Sequence, residues 1–388
     1  MRDVLGPPVE RGEVPGLVAL VDRDGRQELH ALGVRTLGQA GAVEPDTIFR
    51  IASVTKPVVA AAAMMLIDDG KLRLDEPVDR WLPELADRKV LARFDGPLDD
   101  VVPAARAITV RDLFTFRMGF GLVLAAPGTF PIQRASDELL GDGMPAPAKL
   151  AAPDEWMRRF GTLPLMHQPG ERWMYNTGAI VLGVLVARAA GAPLDVVLRE
   201  RLFAPLGMDD TDFSVPAAKL DRFTTSYLAD FQTGALSLYD AVDGQWARPP
   251  AHACGADGLV STAPDLLRFS TLLLGRGVFR GKRLLSEAAV EQMTRDALTP
   301  ANKAFGALTP GYFDDHGWGF GLAVVTARDE LGLPPGSYGW DGGLGSSWYA
   351  DPSTRTTGIL LTSRSFTNPS WPPLFRAFWR HVNDRGHA

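Results

Sequence analysis

The chain has a single cysteine, Cys254, in 388 residues. That excludes an internal disulfide framework and any zinc site built on cysteines. Lysine is also scarce: seven residues (56, 71, 89, 149, 219, 282 and 303) stand against 33 arginines. No block of like charge interrupts the chain, and its formal net charge is −6, so nothing suggests a basic surface for nucleic acid or an anionic membrane. The most apolar stretches, 58–67 and 179–187, are about ten residues long, too short to span a bilayer. Residues 1–16 mix charge with proline and glycine and lack the apolar core of a signal peptide, so a soluble, cytoplasmic protein is the expectation. The six histidines (30, 167, 252, 316, 381 and 387) show no metal-ligand spacing. None stands out as the base of a Ser-His-Asp triad, and His167, ahead of Gln168-Pro169-Gly170, reads as a loop or surface residue. A G-x-S-x-G elbow, a phosphate loop, an H-E-x-x-H helix and a G-x-G-x-x-G turn are all missing.

What is present is ample apolar content, 46%, for a large core. At about 150 residues per domain the length allows two or three domains, or one large domain with an insertion. Residues 16–21 and 28–34 flank an Asp/Gly turn too short for an EF-hand loop and read as a β-hairpin. The run 58–66 is apolar on every side, as a central helix is, and Gly70 stops it. Thr109 caps a short helix to about residue 117, and the Gly/Pro-rich stretch 119–153 is a long loop that borders a site. Further helices are expected over 179–190, 194–203, 264–274 (capped by Ser261 or Thr262), 286–295 and 372–382, with 216–250 an unpatterned surface excursion. Strand-like runs occupy 318–326, 346–350 and 357–363. Strands at both ends and helices between predict an α/β (α+β type) domain, 1–75 with 250–388, around an antiparallel sheet, and an inserted, mostly helical domain over 76–249.

At the start of the central helix stands Ser53-Val54-Thr55-Lys56. A spacing of three puts the two side chains on one helical face. A neutral lysine amine can activate a serine hydroxyl, and free N–H groups at a helix N-terminus point at an oxyanion formed on the attacked carbonyl. With 15 serines and seven lysines, roughly 0.3 such pairs are expected by chance, so the pattern alone equally describes a helix cap and a solvated lysine. The apolar flanks Ile51-Ala52 and Pro57-Val58-Val59 make a solvated lysine harder to explain.

Together with four further segments, this motif resembles the serine β-lactamase and penicillin-binding-protein superfamily, above all class C β-lactamases, D-alanyl peptidases and family VIII carboxylesterases. The segments are Phe49–Pro57 around the serine, Thr109–Thr115, Pro169–Thr177, Trp318-Gly319-Phe320-Gly321 and Trp340–Gly345. The resemblance implies a β-lactamase/transpeptidase-like fold, with Ser53 as nucleophile and Lys56 and Tyr175 handling its proton. It assigns the oxyanion hole to the N–H groups of Ser53 and Gly343, and the substrate contacts to Trp340, Asp341, Gly342, Asn176 and Phe120. Two positions depart from the pattern. Asn176 follows the tyrosine directly, where the family commonly has Asn two residues on and this chain has Thr177. Trp340 stands where β-lactamases carry Lys and peptidases Lys or His to hold a substrate carboxylate. An indole offers an apolar wall instead, and Asp341 would repel an anion. Family VIII esterases often have Trp there. The implied activity is a carboxylesterase acting on small neutral acyl esters, with no metal, cofactor, nucleic acid or membrane partner. A β-lactamase, a D-amino-acid peptidase or an acyltransferase using the same acyl-enzyme are the alternatives, ahead of a binding protein with a silent site.

Overall fold

The computed structural model describes residues 1–141, 143–304 and 308–384. The histidine at 387 lies outside them. Seven strands make one antiparallel sheet: β1 (Gly16–Arg23), β2 (Arg26–Gly33), β3 (His316–Trp318), β4 (Ala323–Val325), β5 (Tyr338–Gly342), β6 (Ser346–Asp351) and β7 (Thr356–Thr362). Their order is β3-β4-β5-β6-β7-β1-β2, so the N-terminal hairpin pairs directly with the last strand, Leu17 opposite Thr362. The run expected as one strand over 318–326 is a hairpin, because Gly321 at φ +74° turns the chain at a point where a Cβ would strike Ala60 and the Lys56 carbonyl.

Strand alternation gives the sheet two different faces. On one, Trp348 meets Phe269, and Ser270 hydrogen-bonds Thr357 at 2.7 Å, both from the helix Ala263–Leu274. On the other, Trp379 of the helix Pro373–Asp384 packs on Tyr349 and donates to Ser347. A helix over Arg2–Glu10, which Gly6, Pro7 and Pro8 disguise in the sequence, joins the C-terminal helix on that side. The central helix Thr55–Asp68 is buried along almost its whole length and packs against Thr177–Ala190. Thr109 and Asp112 form a reciprocal capping box, and Thr262 and Ser286 cap the helices that follow them. The long loop 119–153 contains an unexpected helix, Pro131–Leu140, and the excursion 216–250 folds into a hairpin, Ser226–Ala229 with Leu236–Asp240. The segment from Leu194 runs helical to Leu206 through a π-helical turn. Among the described residues no single helix is long and apolar enough to cross a membrane.

Candidate active site

Ser53 sits on a single turn, Ala52–Val54, that leads directly into the central helix. Ala52 before it is held at φ +44°, an uncomfortable conformation for a residue with a Cβ. The turn is fixed from behind: Ile51 N–H donates to Leu259 O at 3.0 Å, Ser346 Oγ donates to Ile51 O at 2.6 Å, and Leu259 N–H donates to Thr55 Oγ1 at 3.1 Å. One helical turn on, Lys56 is 1% exposed. Its Nζ donates to Ser53 Oγ and to Ala256 O, both at 2.8 Å. The loop carrying Ala256 reaches this position because Gly255 passes against Gly183 of the neighbouring helix, where a Cβ on Gly255 would lie 2.6 Å from Ala179 O.

Tyr175 arrives on the segment before the helix Thr177–Ala190, tied down by Met174 N–H to Phe116 O at 2.7 Å and Leu122 N–H to Tyr175 O at 2.8 Å. Its ring lies 4.6 Å from Lys56 Nζ, and its hydroxyl oxygen accepts the indole N–H of Trp340 at 2.7 Å. Asn176 has φ +81° and ψ −64°, with Thr177 N–H on Tyr175 O at 3.2 Å, the rare and strained γ-turn. The residue before Ser53 and the residue after Tyr175 thus hold costly backbone conformations, the kind of strain that accumulates at functional sites.

A cleft of about 360 Å³ opens over this group, with Lys56 buried beneath it. Ser53, Tyr175, Asn176, Trp340, Asp341 and Gly343 all border it. Gly343 is exposed there with open space around its Cα, and among the described residues its N–H makes no hydrogen bond, while its carbonyl accepts from Phe366 N–H at 2.8 Å. Ser53 N–H lies in the first turn, where helical geometry supplies no acceptor.

Two expected substrate contacts lie elsewhere. Phe120 is fully buried, edge-on to Phe160 in the core, because the loop turns its side chain away from the cleft. Gly342 is buried too: a Cβ there would lie 2.3 Å from both Ile51 O and Ser346 Oγ, so it lets β5 approach the Ser53 turn and does not touch the cleft. Asp341 borders the cleft, yet alternation along β5 sends its carboxylate to the opposite face from Trp340. There it accepts Ser347 Oγ at 2.5 Å, Tyr349 Oη at 2.9 Å and Trp371 Nε1 at 2.8 Å. Burial pushes its pKa up against the pull of these donors.

The sequence reading missed Asp257, which lines the cleft beside Ser53. Burial raises its pKa, opposed by the charge of Lys56. The only signal was a lone carboxylate in the otherwise apolar run 253–260. Leu122, Leu124 and Met144 form an apolar wall, and Tyr312 and Trp371 add aromatic surface. Among the described residues no lysine, arginine or histidine lines the cleft, while Asp257, Glu330 and Asp341 do.

The family model described as Beta-lactamase matches residues 1–380. Protein Rv1367c of Mycobacterium tuberculosis is 40% identical over 359 residues, covering 91% of this chain and 86% of that protein. Esterase EstB of Burkholderia gladioli is 32% identical over 379 residues, covering 92% and 88%. Among solved structures, EstCE1, described as a hydrolase with promiscuous acyltransferase activity, superposes with a TM-score of 0.77 at 25% identity over 98% of this chain and 97% of that one. Simvastatin synthase (LovD) from Aspergillus terreus shares the fold, with a TM-score of 0.79 at 23% identity over 99% and 97%. The chain belongs to the Beta-lactamase family, and its relatives include an esterase and a penicillin-binding protein.

Proposed function

We propose that this protein is a carboxylesterase that acts on small neutral acyl esters through an acyl-enzyme on Ser53. The observation that carries the reading is the meeting of two hydrogen-bonded pairs, Lys56–Ser53 and Trp340–Tyr175, with Lys56 Nζ 4.6 Å from the Tyr175 ring and Ser53, Tyr175 and Trp340 bordering one cleft. Ser53 Oγ attacks the ester carbonyl and passes its proton to the Lys56–Tyr175 pair. The N–H groups of Ser53 and Gly343 receive the oxyanion, each such donor contributing about 3–4 kcal/mol to the barrier reduction. Collapse breaks the carbonyl–alkoxide bond, and Tyr175 returns the proton to the departing alkoxide. Water then adds to the acyl-enzyme by the same route and regenerates Ser53.

The ester preference rests on Trp340 and the charges around it. Among the described residues the cleft is bordered by Trp340, Trp371, Asp257 and Glu330 and by no lysine, arginine or histidine that could hold the carboxylate of a β-lactam or a peptide terminus. EstB and EstCE1, both similar to this chain, are described as an esterase and a hydrolase, which supports the same class. Acyl transfer to an alcohol differs only in the acceptor that meets the acyl-enzyme.

The test is turnover of p-nitrophenyl acetate and butyrate, with mass spectrometry of the trapped acyl-enzyme. Wild type should gain the acyl mass on Ser53, and Ser53→Ala should not. Lys56→Arg keeps the charge but cannot supply a neutral amine, so kcat should fall by about 10²–10⁴. Nitrocefin turnover that matches ester turnover would overturn the assignment.

A further inference from the structure

Behind the aromatic side of the cleft lies a buried acid–base cluster that the acyl-transfer steps leave unused. His316, at the start of β3, is 1% exposed. Its Nδ1 meets Asp315 Oδ1 at 2.5 Å, and its Nε2 stands 3.4 Å from Asp329 Oδ2. Asp329 is fixed in turn, its Oδ1 accepting the N–H groups of Leu331 and Leu333, each at 2.9 Å. The imidazole stacks on Tyr312 at 4.8 Å and 15°, and Trp371 stands tilted to it by 42° at 6.0 Å. Tyr312 in turn stands perpendicular to Trp340 at 6.3 Å, and all three aromatic residues border the cleft.

We propose that His316 is a positioning residue for this wall: clamped by Asp315 and Asp329, its imidazole holds the Tyr312 and Trp371 rings, so that loss of its proton loosens the wall and weakens binding of bulky esters without altering the chemistry at Ser53. The inference rests on the esterase reading for its kinetic arm only.

The charges around the ring set the direction. Asp315 and Tyr312 face it from the short helix Tyr312–Asp315, Asp329 from the loop after β4, and Asp341 from β5. Lys303 Nζ reaches only the main-chain oxygen of His316, at 3.4 Å, and pairs with Asp296 at 2.5 Å. Burial opposes the imidazolium, but the two flanking carboxylates outweigh it, and the His316 pKa lies above the ordinary histidine value. Charged, the ring donates to Asp315 and attracts the buried Asp329 carboxylate 3.4 Å from its other nitrogen; neutral, it keeps one N–H and leaves the Asp329 charge without a cation beside it.

The experiment compares p-nitrophenyl acetate with a bulky aryl-alkanoyl ester from mildly acidic to alkaline pH. In wild type, KM for the bulky ester should rise about two- to tenfold as His316 deprotonates, while KM for acetate and both kcat values do not follow that transition. Asp329→Asn keeps the acceptor for Leu331 and Leu333 but removes one charge, so the transition should move to lower pH. His316→Gln should abolish it. A bulky-ester KM with no such transition, or one that stays at the same pH in Asp329→Asn, overturns the proposal. Histidine-ring NMR and tryptophan fluorescence, titrated without substrate, supply a readout independent of turnover. Co-titration of the His316 signal with fluorescence that Trp371→Phe removes supports the positioning role even if no ester is hydrolysed, a result that would defeat only the esterase assignment. Separate titrations defeat the positioning role even if esters are hydrolysed.

Discussion

The indole N–H of Trp340 donates to the hydroxyl oxygen of Tyr175 at 2.7 Å. Trp340 therefore does more than close the cleft with apolar surface. It holds the tyrosine oxygen by one lone pair and, in the proposed mechanism, leaves the phenol proton and the other lone pair for Ser53 and the departing alkoxide. Trp340→Phe preserves the ring and removes the donor. We expect kcat for p-nitrophenyl butyrate to fall about 5- to 30-fold, the equivalent of about 1–2 kcal/mol, with KM nearly unchanged, as steady-state kinetics will show.

Adjacent glycines on the same strand end should behave oppositely. At Gly342 a Cβ would meet Ile51 O at 2.3 Å, whereas nothing lies within 4 Å of one at Gly343. Gly342→Ala must push β5 away from the nucleophile turn and take the Gly343 N–H with it. A stability loss of about 1–3 kcal/mol in urea unfolding and a fall in kcat are expected together. Gly343→Ala should leave the unfolding midpoint in place.

Three residues before the nucleophile, Arg50 is 3% exposed and sandwiched between Phe223 and Trp246, with Asp240 as its buried partner. Burial brings its pKa down to about 10, against the pull of Asp240. Arg50→Met strands the Asp240 carboxylate in the core and should cost about 3–5 kcal/mol. The double variant Arg50→Met/Asp240→Leu should recover part of that loss and not all, because Asp240 also accepts Gln245 N–H at 2.8 Å. Denaturant midpoints of the three proteins decide it.

His252 gives the fold a sensitivity to acid. It is 1% exposed, and burial brings its pKa down to about 4, with the Ala151 carbonyl opposing. The unfolded chain, with a histidine pKa of about 6.5, binds the proton first, so stability falls as pH drops through the window between the two values. Melting temperatures should decline from neutral pH toward pH of about 4.5, and His252→Phe should flatten that decline. His316 acts with the opposite sign: its raised pKa stabilises at low pH and the contribution fades as pH rises.

Much of this was legible where the physics is local. A threonine three residues before an aspartate is a helix start, and the Thr109–Asp112 capping box forms as that spacing implies. Ser53 and Lys56 share a helical face because three residues make about one turn. The Phe120 assignment failed because no local rule says which side of an irregular loop faces a cleft. Asp341 borders the cleft as its motif implies, but strand alternation turns its carboxylate to the face opposite Trp340, a direction that follows only from the bounds of β5. Asp257 and the bond from Trp340 to Tyr175 depend on contacts between residues far apart in the chain, which no spacing encodes.

The pairing of β1 with β7 gives the chain a distinctive problem during synthesis. Leu17–Val21 is an apolar strand with one edge bonded to β2, and its other edge has no partner until Thr356–Thr362 has been made. For nearly the whole of translation the N-terminal hairpin therefore presents an open, sticky edge, the feature that recruits wrong partners in a crowded cell. Production from this sequence should be limited by that waiting time, and slowing initiation or supplying a holdase should raise the soluble yield more than strengthening the finished core would.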